Sequence, residues 1–191
     1  MVDRISVLAI SAATVAALAT AAPAGANPPL AHIAKAKLAC SKLASVSQVS
    51  AAVGIAVKKP AVSSVEDAFN TSSAAVGSEC DWDPVTPTAA YPSGSAAIQL
   101  TVDGGVSATQ LHKLVSEESA SASSPVYKGA VTPASGLGTN GEVAVLGPTT
   151  GSTATNTVVY ALKGHDAFFV YSDEASTADV EALAADVYKK L

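Results

Sequence analysis

Residues 136–141 read GLGTNG, a literal instance of the G-x-G-x-x-G spacing with which a backbone loop cradles the pyrophosphate of a dinucleotide. That chemistry needs a buried strand before the glycines and a helix N-terminus after them, whose amides and dipole meet the phosphates. Here the flanks differ. TPAS stands before Gly136 and reads as loop; EVAVL stands after Gly141 and alternates like a strand. The spacing therefore predicts a tight turn leading into a strand, with Gly136 and Gly138 serving the fold, and no cofactor.

The other residues capable of chemistry are sparse. The chain has three histidines. His112 falls on an expected helix, and His165 in the turn Gly164-His165-Asp166 offers a metal two ligands with Asp166. A protein metal site wants three or four with a supporting shell, so no metal ligand is assigned. The serines are abundant, but none sits in a G-x-S-x-G elbow. Asp81 and Asp83 flank Trp82 and point away from it in a strand, which reads as solvated surface. Glycoside chemistry would need two carboxylates at one cleft. No catalytic residue is assigned. Asn70-Thr71-Ser72 matches a glycosylation sequon, a short pattern that carries little weight by itself.

Two cysteines remain, Cys40 and Cys80. Their number and an exported context predict one disulfide rather than a thiol nucleophile. Closing a loop of about 41 residues is worth roughly 4 kcal/mol in the chain-entropy model. Export is read from the start of the chain, MVDRISVLAISAATVAALATAAPAGA. Arg4 opens a run without charge that ends in Ala24-Gly25-Ala26, a small-x-small cleavage pattern. Residues 1–26 are thus expected to be a signal peptide, and 27–37 a flexible lead-in. The apolar run is rich in Ala and Thr and broken by Pro23, so it is not expected to remain as a membrane span. Lys37 stands where a lipobox would place an aliphatic residue, which argues against a lipid on Cys40.

The net charge of −5 gives no electrostatic footprint for nucleic acid or anionic lipid. Aromatic content of 5% leaves little for a base-stacking platform. The large side chains Trp82, Tyr91, Tyr127, Tyr160, Phe168, Phe169 and Tyr171 are expected in or beside a core. Phe168 and Phe169 must face opposite ways in a strand, so one of them is free to line a groove.

The elements that would position these residues follow from periodicity and caps. Ser45 and Gln48 have capping-box spacing, with Val46, Val49 and Val53 on one face and Gly54 as a left-handed cap. IAVKKP reads as a brief strand and AVSSVEDAFNTSSAAVG as a loop. SECDWDP is a short strand, PVTPTAAYPSG a proline-studded loop, and AAIQLTVDGG an alternating strand. A second helix starts at Ser107 with Gln110 three residues on, and Leu111, Leu114 and Val115 make its apolar face. NTVVYALKGHDAFFVYSD is a hairpin of strands 156–163 and 167–172. STADVEALAADVYKKL is an amphipathic helix with Val180, Leu183, Ala184, Val187, Tyr188 and Leu191 on one side. The expected fold is a single α+β domain over 38–191: an antiparallel sheet of about five strands packed with two to three helices and tied by one disulfide.

CSKLASVSQVSAAVG, then CDW, then GLG before a strand, then a hairpin and a terminal helix form an ordered pattern. It resembles an uncharacterised cell-envelope domain found in small secreted proteins and lipoproteins of actinobacteria. The positions that carry the resemblance are Cys40, Gly54, Cys80, Trp82, Gly136 and Gly138, across roughly residues 38–191. In that family the first cysteine opens the first helix and the second precedes a tryptophan. The resemblance implies a secreted or wall-associated domain without a lipid anchor, and no settled activity. From sequence, then, the protein is expected to be a non-catalytic binding or interaction domain. Its partner would be an unknown envelope protein or an apolar or lipidic ligand, and not nucleic acid; a secreted hydrolase is the alternative.

Overall fold

The computed structural model describes residues 40–66, 76–122, 130–146 and 156–191. The leader, the lead-in, Asn70 of the sequon and Tyr127 lie outside these residues.

Seven strands form one sheet in the order β1-β2-β3-β7-β6-β5-β4. They are β1 (Ala61–Glu66), β2 (Val76–Trp82), β3 (Ile98–Gly104), β4 (Ala130–Pro133), β5 (Glu142–Leu146), β6 (Asn156–Lys163) and β7 (Asp166–Ser172). Every neighbouring pair is antiparallel. The helices are α1 (Cys40–Leu43), a single turn, α2 (Val46–Val53), α3 (Ala108–Ala122) and α4 (Thr177–Lys190). The α+β class, the antiparallel sheet and the disulfide are as the sequence implied.

The sheet has seven strands where about five were expected, and the reasons are local. AVSSVE, read as loop, is β1: its small polar residues make a faint pattern, and register with β2 rather than propensity holds it extended. β4 takes in Thr132 and Pro133, also read as loop, because four residues at a sheet edge carry too little alternation to see. IAVKKP is no strand. Val57 makes one isolated bridge with Pro84, flanked by Lys58 N–H to Asp83 O and Val85 N–H to Ala56 O, each 2.8 Å.

The first face of the sheet is covered by α1, α2 and α4. Cys80, Trp82, Leu100, Val102, Val159, Phe168 and Val170 pack there against Leu43, Val49, Val180, Leu183 and Val187. Burying each such side chain contributes about 1.5–3 kcal/mol. The Cys40–Cys80 disulfide, with 5.7 Å between Cα atoms, fastens α1 to the Trp82 strand inside this layer. Ser45 caps α2 with a complete capping box to Gln48, and Gly54 ends it at φ 70°. Gln48 also reaches α4, donating from Nε2 to Asp186 at 3.0 Å. Lys190 returns the contact, donating to Leu43 O at 2.8 Å. The acidic start and basic end of α4 suit the helix dipole.

Among the described residues, α3 is the helix that packs on the second face, on one side of it, where Leu111 and Val115 meet Val158, Tyr160, Leu162 and Ala167. Being two-sided, the sheet uses both phenylalanines. Phe168 is fully buried in the first layer, and Phe169 packs at the margin of the second, its ring 6.0 Å from that of Tyr160. β3, expected to alternate, is buried along most of its length, Thr101 and Asp103 included.

Candidate functional site

The glycine loop closes a hairpin. It joins β4 to the antiparallel β5 through a three-residue 3-10 turn, Gly138–Asn140, and Ala134 N–H donates to Gly141 O at 2.8 Å across its neck. Gly136 (φ 76°) and Gly138 (φ 73°) are left-handed, where a Cβ is disfavoured. Leu137 between them is fully buried. The flanks are strand and strand, so the loop lacks the helix start on which the dinucleotide motif depends. Its chemistry is that of a turn anchored by one leucine.

The remaining assigned positions do not converge. Cys40, Cys80 and Trp82 belong to the first layer, and Gly54 caps a helix away from the sheet's open half. His112 is exposed on α3, while His165 lies in the β6–β7 turn, its carbonyl accepting from Val106 N–H at 3.0 Å. Among the described residues no three His, Cys, Asp or Glu side chains gather at metal-binding distance.

A different set does come together, on the part of the second face that carries β1, β2, β3 and β7. The register lines up two rows across it. One runs Ser63, Glu79, Thr101, Phe169, Tyr160; the other runs Ala61, Asp81, Gln99, Tyr171, Val158. Each row is polar towards β1 and apolar towards β6, where α3 lies. Ser63 Oγ donates to Glu79 at 3.3 Å, and Gln99 Nε2 donates to Asp81 at 3.3 Å. Tyr171 donates its hydroxyl to Asp173.

The electrostatics of this strip are unfavourable to its own charges. Burial raises the Glu79 carboxyl above its ordinary value, and the charge of Asp81 raises it further against the Ser63 hydrogen bond. Asp81 is raised by burial as well; Gln99 opposes this and Asp83 adds to it. Neither carboxylate meets a cationic side chain among the described residues, whose ion pairs are Lys113–Glu117 and Lys189–Asp186. Thr101, between Glu79 and Phe169, is fully buried and its hydroxyl has no hydrogen-bond partner among the described residues. Such a group costs about 1–3 kcal/mol. Tyr171 is held protonated well above the usual phenol range by burial and by its bond to Asp173.

In the sequence Tyr160, Phe169 and Tyr171 stood out as large side chains in or beside a core, and Asp81 and Asp83 as solvated surface; both aspartates are half-buried instead. The signal for Glu79 was available, since Glu79-Cys80-Asp81-Trp82-Asp83 alternates acidic with buried residues. Gln99 and Thr101 carry no local signal. They join the strip only through the pairing of β3 with β2 and β7. Compared with protein-family models, curated proteins and solved structures, the chain matches none.

Proposed function

We propose that the protein is an exported, non-catalytic interaction domain of the cell envelope, of the actinobacterial kind that its cysteine, tryptophan and glycine pattern resembles. The observation that carries the interaction reading is the polar strip around Glu79 and Asp81: two half-buried carboxylates that repel each other, lie beside an unsatisfied Thr101 hydroxyl, and meet no cation among the described residues. A strip of this kind is poised for a partner that brings positive charge, because such a partner relieves the repulsion that folding leaves in place. The strand pairing of the sheet and the disulfide beneath it hold the strip in place, which lowers the entropy lost on binding.

The disulfide is compatible with an extracytoplasmic location, and export itself rests on the leader. No helix among the described residues is long and apolar enough to cross a membrane. A polar partner suits the described surface better than an apolar or lipidic one, since its exposed large hydrophobics are Val62 and Val85. The test is fractionation of the native cell followed by N-terminal sequencing and thiol counting. A mature chain that starts near Asn27, lies outside the cytoplasmic membrane and has no free thiol supports the reading. A cytoplasmic protein that begins at Met1 with two free thiols overturns it. Turnover of chromogenic esters, peptides or glycosides by the purified protein would favour the hydrolase instead.

A further inference from the structure

The two edges of the sheet are treated differently. An edge strand presents unpaired N–H and C=O groups that template pairing with another chain, and proteins blunt such edges with short strands, proline, lysine or a covering element. β4 follows that rule: it has four residues, ends in Pro133, and α3 packs beside it. β1 does not. Its register with β2 runs unbroken from Ala61–Asp81 to Glu66–Val76, it contains neither proline nor lysine, and residues 61–64 are exposed. Val62, 63% exposed, is one of the two large hydrophobics that the described surface offers to solvent.

We propose that β1 is a docking edge for an extended peptide segment that alternates basic and apolar residues, added to the sheet as an eighth strand beside β1. The inference rests on the interaction reading above and specifies its partner. On the second face β1 shows only Ala61 and Ser63 in the rows leading to the carboxylates, and both are small. A strand paired to β1 lies about 10 Å from β2, two interstrand spacings away. The long stem of a lysine or arginine spans that distance by lying over Ala61 or Ser63, and its charge then meets Asp81 or Glu79. Successive basic residues, two apart in the partner, fall on successive rows. On the first face the intervening residue meets Val62, which asks for an apolar side chain. Backbone bonds supply the pairing and the alternate side chains the selectivity, as in strand addition generally. A second copy paired β1 to β1 fits poorly: that strand brings no basic residue, and a net charge of −5 on each copy opposes the approach.

The probe is a fluorescent octapeptide of alternating lysine and valine, titrated into the intact mature protein by anisotropy, with amide NMR to locate it. Saturable binding is expected, with shifts concentrated at residues 61–66 and 79–81. Glu79→Gln with Asp81→Asn should weaken it about tenfold or more, since both charges are half-buried. Two isomers of the peptide, N-methylated on one or the other alternate set of residues, keep the charge but each lose one hydrogen-bonding edge. One of the two should lose binding. Equal affinity of both isomers and the parent would show mere charge attraction and overturn the proposal, as would unchanged affinity in the double variant or no binding of the parent peptide. The double variant's circular dichroism and melting curve verify that it is folded. Because location and thiol state are read separately, an exported, oxidised protein that ignores the peptide overturns the docking edge and leaves the envelope assignment standing.

Discussion

Gly141→Ala should damage the fold more than a change at either left-handed glycine of the same loop, although its own backbone is permissive. Gly141 has φ −85° and ψ 126°, angles that any residue adopts. The obstacle is Leu137. A Cβ built on Gly141 would lie 2.3 Å from Leu137 Cβ, 3.2 Å from its carbonyl oxygen and 3.3 Å from its Cα. Carbon atoms pack at about 3.5–4.0 Å, and no rotamer change moves a Cβ or a backbone oxygen. Either the 3-10 turn opens or Leu137 leaves the core. Overpacking left in the turn costs about 1–3 kcal/mol, and a partial loss of the leucine's burial adds roughly 1 kcal/mol, so roughly 2–4 kcal/mol is expected. Gly136→Ala meets only Ala185 Cβ at 3.9 Å and bears the left-handed backbone cost alone, about 1–2 kcal/mol. Gly138→Ala falls between, because its Cβ would lie 2.6 Å from the Tyr188 hydroxyl, the far end of a side chain that can swing aside. At about 2–4 °C per kcal/mol for a chain of this size, Tm should fall by roughly 4–16 °C for Gly141→Ala and 2–8 °C for Gly136→Ala. Thermal melts followed by the fluorescence of Trp82, the sole tryptophan, measure this directly. A Gly141→Ala protein that melts with the wild type, or above Gly136→Ala, refutes the steric argument. NAD and ATP should leave the wild-type Tm unchanged, since a ligand of the native state must raise it; a saturable rise would make the loop a nucleotide site.

Three further outcomes are expected. Cys40→Ser with Cys80→Ser should cost about 2–5 kcal/mol in urea denaturation, and non-reducing mass spectrometry should find the wild type two hydrogens lighter than its reduced form. Glu79→Gln or Asp81→Asn should stabilise the protein near neutral pH. Their folded pKa values are raised, so the penalty is absent below the unfolded values and complete above the folded ones; wild-type stability should gain from these groups as pH falls from 7 towards about 4, and the variants should flatten that slope. A double variant with the wild-type pH dependence would refute the assignment. Trp82→Ala should cost about 3–5 kcal/mol, because the indole is fully buried in the first core layer; a loss under about 1 kcal/mol in chemical denaturation would contradict that packing.

What the sequence determined by itself was local. The capping boxes at Ser45 and Ser107, the left-handed Gly54, the 3.6-residue stripe of the last helix and the Gly164-His165 turn each depend on a few neighbouring residues whose conformational limits are intrinsic. Of the flanks of GLGTNG, the strand that follows was legible and the short edge strand before it was not. What tertiary structure decided was everything that depends on which strands are neighbours. β1 is extended because β2 offers it a ladder. β3 is buried on both faces because it lies inside the sheet between β2 and β7, so its apolar alternation was only half the pattern. The clash that makes Gly141 sensitive arises from how the 3-10 turn folds Leu137 back on it. The polar strip likewise assembles Ser63, Glu79, Thr101 and Tyr171 from four strands spread over more than a hundred positions, and only cross-strand register, which a single chain read in order does not contain, places them side by side.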